Sequence, residues 1–144
     1  MQGNTQGTLP DIVKTIVFNA PIQKVWEAVA TSEGIAAWLM PNDFQPQVGY
    51  EFHLQSPFGP TPCKVLELDS PNRLSFVWGK FGWHVSFELK ELDGKTEFTV
   101  THSGWGKPDE IIPESGEKQS VIHDTMNNGW EPLVNNNLRR MVES

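Results

Sequence analysis

"HDTMNNGWEPLVNNNLRRMV", residues 123–142, carries the apolar repeat of a long helix and, in its middle, Gly129 and Pro132. From Ile122 the apolar positions run through Met126, Trp130, Leu133 with Val134, Leu138, and Met141 with Val142. Every step is three to five residues long, so the stripe keeps its phase across the proline. A loop at Pro132 would scramble that phase, and one kinked helix over residues 118–143 is therefore expected rather than two helices. The proline withholds a hydrogen bond from the Asn128 carbonyl and crowds it, at about 3 kcal/mol in a regular helix interior. Gly129 costs roughly 1 kcal/mol more against alanine. Something should offset these costs. Either the sheet, Trp78 or a ligand approaches the bare backbone at Gly129, or the kink opens space beneath the helix and frees a carbonyl.

Before this helix the hydrophobic period is 2. "YEFHLQ" (50–55) sets Tyr50, Phe52 and Leu54 against Glu51, His53 and Gln55, and "CKVLELD" (63–69) follows the turn-like "PFGPTP". "RLSFVW" (73–78) puts Leu74, Phe76 and Trp78 on one face, and "WHVSFELKEL" (83–92) does the same with Trp83, Val85, Phe87 and Leu89. Asp93-Gly94 is a hairpin signal, and "KTEFTVTHS" (95–103) aligns Phe98, Val100 and His102. Upstream, "LPDIVKTIVFN" alternates as a strand, and "APIQKVWEAVA" places Ile22, Val25, Trp26 and Val29 at helical spacing behind Pro21. Ser32 then fits the N-cap of a short helix through "EGIAAWL", stopped by Pro41. Residues 103–117 read as a long acidic loop, and residues 1–8 as a frayed polar tail.

One apolar face per strand implies an antiparallel sheet covered on one side and wet on the other, and only the long helix is large enough to cover it. The expected class is α+β: a curved antiparallel sheet of about six strands around a long C-terminal helix, with two short helices after strand 1. The length, 144 residues, suits a single domain over 9–144.

The net charge of −7 argues against nucleic acid or an anionic membrane as partner, since both need a basic footprint. Cys63 is the only cysteine, which excludes an intramolecular disulfide. With no basic, apolar leader at the N-terminus and no stretch of spanning length, a cytoplasmic protein is expected, as a monomer. Metal or cofactor chemistry has little support: His53 and His84 fall on wet strand faces, and no two histidines share ligand spacing. Gly94-Lys95-Thr96 lacks the upstream glycine of a phosphate loop and belongs to the hairpin turn.

The element order, together with "FNAPIQKVWEAVATSEGIAAWL" (18–39), "SPNRLSFVW" (70–78), "GKTEFTVTHSGW" (94–105) and "GWEPLVNNNL" (129–138), resembles the helix-grip superfamily called START-like or SRPBCC. Within it the chain is similar to the C-terminal domain of the heat-shock-protein-90 ATPase activator, over about residues 9–143. The resemblance implies a deep cavity between sheet and long helix. Superfamily members include lipid carriers, polyketide cyclases, hydrophobic-ligand binders and cochaperone domains, without shared catalytic residues.

The residues expected to line such a cavity are mostly aromatic. Phe52, Phe76 with Trp78, Val85 with Phe87, and Phe98 with Val100 and His102 come from the strands; Met126, Gly129 and Trp130 come from the helix. Trp38 and Phe44 occupy the segment that approaches the mouth in this fold, and Trp105 opens the long loop that would gate it. Trp-rich linings suit ring-containing ligands. Binding of a small hydrophobic or aromatic molecule, lipid-like or polycyclic, in a stress or sensing role, is the leading functional expectation, with no catalytic residue, cofactor or metal. The alternative, from the resemblance, is a chaperone partner and a cochaperone-like role. An enzyme of cyclase or hydrolase type using His102 as general base is the third. For His123, early in the helix, solvent exposure is expected.

Overall fold

The computed structural model describes residues 8–56, 59–79, 82–112 and 116–143. The elements are β1 (Ile12–Phe18), α1 (Ile22–Val29), α2 (Ser32–Trp38), β2 (Glu51–Ser56), β3 (Gly59–Asp69), β4 (Arg73–Trp78), β5 (Trp83–Leu92), β6 (Lys95–Ser103), β7 (Ile111–Ile112), β8 (Glu117–Lys118) and α3 (Gln119–Pro132). A π-helical segment (Leu133–Leu138) and α4 (Arg139–Val142) continue α3. The frayed-tail expectation lies outside the described residues except for Thr8, as do parts of the turns at 57–58 and 80–81.

Six strands form one antiparallel sheet in the order β1-β6-β5-β4-β3-β2. β2 to β6 are a meander, and β1 closes the far edge by pairing with β6, Ile12 opposite His102 and Phe18 opposite Thr96. The β5–β6 turn is the hairpin its sequence announces, with Asp93 at φ 52° and Gly94 at φ 85°, the left-handed pair such a turn demands. A bulge between Val65 and Glu67 shifts the β3–β4 register, a device that bends a sheet locally. The inward residues are those the alternation selects: Leu54 and Phe52, Leu74, Phe76 and Trp78, Val85 and Phe87, Phe98, Val100 and His102 are all buried.

The acidic loop is more structured than its sequence suggests. Ile111–Ile112 pairs with Glu117–Lys118 in a two-residue ribbon that leads into α3. At α2 the cap is Thr31 rather than Ser32: the Thr31 hydroxyl accepts from Gly34 N–H at 3.0 Å. Ser32 is the first helical residue, and its hydroxyl donates to the Asn42 carbonyl at 3.1 Å. Both residues can cap a helix; the one whose backbone is still extended does so.

The C-terminal helix is continuous, as the stripe requires, and its irregularity is a π-helical widening that begins immediately after Pro132. Proline supplies no N–H to the Asn128 carbonyl, and the Leu133 N–H is shared between the carbonyls of Gly129 and Trp130. The widening has a packing consequence. The fully covered helix residues are Trp130, Val134, Leu138 and Val142, spaced four apart. In a regular α-helix each such step overshoots a full turn by about 40°. A π segment holds more residues per turn and sets the stripe back onto the sheet. The helix end is anchored to β1: Glu143 accepts from Asn19 N–H at 2.8 Å and pairs with Arg139 at 2.7 Å, and Arg139 lies over the Phe18 ring.

Candidate functional site

The inward aromatics form one connected set. Trp130 from the helix meets Trp38 at 6.4 Å, Phe87 at 6.4 Å, Trp78 at 6.2 Å and His102 at 6.0 Å between ring centroids. Phe44 packs edge-on against Phe52 at 5.2 Å, and Phe52 in turn against Phe76 at 5.5 Å. Trp38 is fully buried, with its indole N–H donating to the Ala28 carbonyl at 2.9 Å. That bond ties α2 to α1. Trp78 and Trp130 meet edge-to-face where the sheet faces the helix.

At the sheet end where α3 starts, His102 is the polar member of an aromatic box. It has no exposed surface. Trp78 stacks on its ring at 5.5 Å and Trp105 lies tilted against it at 4.6 Å, while Trp83 and Trp130 meet it edge-on at 4.9 and 6.0 Å. Three local devices deliver these rings. Strand alternation places Trp78 and His102, and the helix stripe places Trp130. Trp105 comes from the chain beyond β6, which turns at Gly104. That residue has φ 85°, and a Cβ there would run into the Gly82 carbonyl, so only glycine lets the chain fold Trp105 back over His102. The Trp105 indole N–H then donates to the His102 carbonyl at 3.0 Å.

The imidazole has a defined protonation. The Trp130 indole N–H donates to His102 Nδ1 at 3.1 Å. Nδ1 is therefore an acceptor, and the neutral ring carries its hydrogen on Nε2. Burial, with a smaller contribution from His123, holds the His102 pKa down to about 3, so the ring is neutral at physiological pH. Nε2 is buried without a hydrogen-bond partner among the described residues, and so is the indole nitrogen of neighbouring Trp83. This arrangement does not suit the general base considered above: the one basic lone pair is engaged by Trp130, and its proton affinity is low.

The cover over this box is thin. Between Gln119 and Trp130 no residue of α3 is buried; Ile122, Met126 and Gly129 are half-buried. A Cβ at Gly129 would meet nothing within 4 Å, so neither the sheet nor Trp78 occupies the space a side chain would take there. His123 is half-buried, not free in solvent: its Nε2 bonds to the Pro10 carbonyl at 2.8 Å, and its ring abuts Trp105 at 4.8 Å. Cys63, opposite Trp78 in the β3–β4 ladder, is buried, with its thiol pKa pushed up to about 12 by desolvation, which leaves it inert. No group of three or more metal-ligating side chains is found among the described residues. Among them, too, no helix is long and apolar enough to cross a membrane.

A sheet gripping a C-terminal helix over an aromatic interior defines an α+β protein of helix-grip type. Residues 19–143 match the family described as Activator of Hsp90 ATPase homolog 1-like protein, and the chain belongs to that family. Among solved structures it is similar to protein BH1534 of Bacillus halodurans, at 52% identity and a TM-score of 0.87, covering 94% of this chain and 98% of that one. Protein MLL2253 of Mesorhizobium loti shares the fold at 24% identity and a TM-score of 0.77, covering 93% and 97%. So does Aha1 of Colwellia psychrerythraea, solved as a dimer, at 19% identity and a TM-score of 0.71, covering 88% and 91%. No protein of curated function matches the chain.

Proposed function

We propose that the chain binds a small, uncharged hydrophobic or aromatic molecule between the sheet and the first half of α3, against the aromatic box around His102. The observation that carries this is a neutral imidazole buried among four tryptophans with a hydrogen-bonding group left unpaired. A core that only had to pack would use an apolar residue at this position, because an unsatisfied buried donor costs about 1–3 kcal/mol. The family's fold, which commonly holds hydrophobic ligands, supports the same reading. Because Trp78 and Trp130 touch, the ligand gains room by displacing the thinly covered segment around Ile122 and Met126. Nothing rigid has to break.

The test is a titration of the protein with 2-acetylanthracene, a flat neutral ketone, followed by its fluorescence and by the indole N–H resonances. Saturable shifts at Trp83, Trp105 and Trp130, with little change at Trp26, are expected. Saturation without movement of those three indoles, or no saturation at all, argues against the site. The chaperone-cofactor alternative rests on family kinship alone, and no residue of the described surface adds to it.

A further inference from the structure

Resting on that ligand-binding reading, the hydrogen-bond inventory of the box goes further and names the kind of ligand. Two hydrogen atoms, on His102 Nε2 and Trp83 Nε1, are buried and unpartnered among the described residues, on rings whose centroids are 4.9 Å apart. Both are donors. The only lone pair the two rings own, His102 Nδ1, is already taken by the Trp130 indole at 3.1 Å. A molecule that offers only N–H hydrogens, as a diarylamine or an indole does, finds no free acceptor on either ring, and one that offers an oxygen lone pair finds two donors. Charge narrows the choice again. No lysine or arginine is buried among the described residues, so a carboxylate brought to these donors would lose its water without gaining a counter-ion.

We propose that Trp130 locks His102 as the Nε2–H tautomer, so that His102 and Trp83 together select a ligand bearing a neutral acceptor oxygen, of ketone, ester or ether type, over donor-only, anionic or purely hydrocarbon molecules of the same shape. His102 and Trp83 are the contacting residues. Trp130 is a positioning residue, acting through the imidazole: were its N–H absent, either ring nitrogen could carry the hydrogen, and His102 Nε2 would pair with a ligand donor as readily as with an acceptor.

Two measurements on the full chain test this. The first is the nitrogen-15 spectrum of the His102 imidazole at neutral pH, where wild type should show a protonated Nε2 and a bare Nδ1. A protonated Nδ1 in wild type overturns the proposal at once. The second compares three probes of one shape: benzophenone, an acceptor; diphenylmethane, neither acceptor nor donor; and diphenylamine, a donor. Benzophenone should bind about 5-fold or more tightly than either of the others, the worth of one net hydrogen bond. Palmitate should not compete with it.

Trp83→Phe deletes one donor on a half-exposed ring and should shrink the benzophenone preference several-fold while the protein stays folded. Trp130→Phe should give a mixed tautomer signature and let diphenylamine gain on benzophenone. If Trp130→Phe fails to fold, Trp83→Phe decides, and an unchanged preference for benzophenone in that variant overturns the proposal. Equal binding of all three probes by wild type overturns the selection and leaves the binding site standing. Binding of none overturns the binding site and the selection together.

Discussion

His102 shows how far one residue's behaviour departs from its side-chain chemistry. Histidine is ordinarily the residue that gains charge just below neutral pH, yet here burial keeps the folded pKa near 3 against an ordinary value of 6.5. The sign of the consequence follows from linkage. As pH falls below about 6.5 the unfolded chain takes up the proton and the folded chain does not, so stability is full above that pH and declines on the way toward 3. The slope is at most about 1.4 kcal/mol per pH unit. Urea unfolding at pH 7.5 and pH 5.5 should show wild type losing roughly 1 kcal/mol that His102→Gln does not lose. Equal pH dependence in the two proteins would mean that the imidazole is not held neutral. At this scale the sequence is partly legible. Alternation along "KTEFTVTHS" puts His102 on the inward face, because strand side chains obey a period of two. Its partners are another matter. Trp83 alternates with Val85 like any core residue, and nothing local marks it as the second unpaired donor; that status exists only once β5, β6 and α3 are assembled. The signal that was available is Gly104, whose left-handed turn is what returns Trp105 to the box.

The C-terminal helix separates two costs that look alike in sequence. Gly129 has a helical neighbourhood and open space where a side chain would go. Gly129→Ala should therefore raise stability by about 0.5–1 kcal/mol, read as a higher urea midpoint at unchanged slope. A loss of stability would show that some group does approach that backbone. Pro132 is accommodated differently, by the widened turn from Leu133 to Leu138. A π segment amounts to an extra residue in an α-helix, which makes an uncommon deletion tolerable. Removing exposed Asn136 leaves Trp130, Val134, Leu138 and Val142 at steps of four, three and four, the spacing a regular helix stripe prefers. Deleting a residue inside a regular helix would instead swing everything beyond it about 100° off the sheet. The Asn136 deletion should stay folded with a loss under about 2 kcal/mol, measured by thermal unfolding; a molten or unfolded product would show that the widened turn is indispensable. Helix continuity was legible because an apolar stripe in phase over five turns leaves no room for a loop. The π widening was not, because steps of three, four and five residues all keep a stripe roughly in phase.

At the scale of the molecule, element order and apolar faces were enough to specify a six-stranded sheet gripping a helix, since each strand's single apolar face must find a cover and one element is long enough to be it. Interior volume was not specified. Whether rings leave a hole or touch depends on tenths of an ångström in packing that no residue pattern encodes, and here Trp78 and Trp130 touch. The same packing makes the cover uneven. From Trp130 to Val142 the helix buries one residue each turn and is tied to β1 through Glu143 and Arg139, whereas from Ser120 to Gly129 it buries none. Segments with few buried apolar contacts open at lower free energy than the global unfolding that core segments require. Amide exchange should accordingly divide the helix. The amides from His123 to Met126 should exchange by local opening, with little dependence on denaturant, while those of Val134 and Leu138 exchange only through global unfolding. A saturating ligand in the box should slow the first group and leave the second where global stability puts it, because the ligand must be released before that half of the helix can lift. Uniform protection along the helix would mean that it moves as one rigid body, and access to His102 would then have to come from the sheet side, past the half-exposed ring of Trp83.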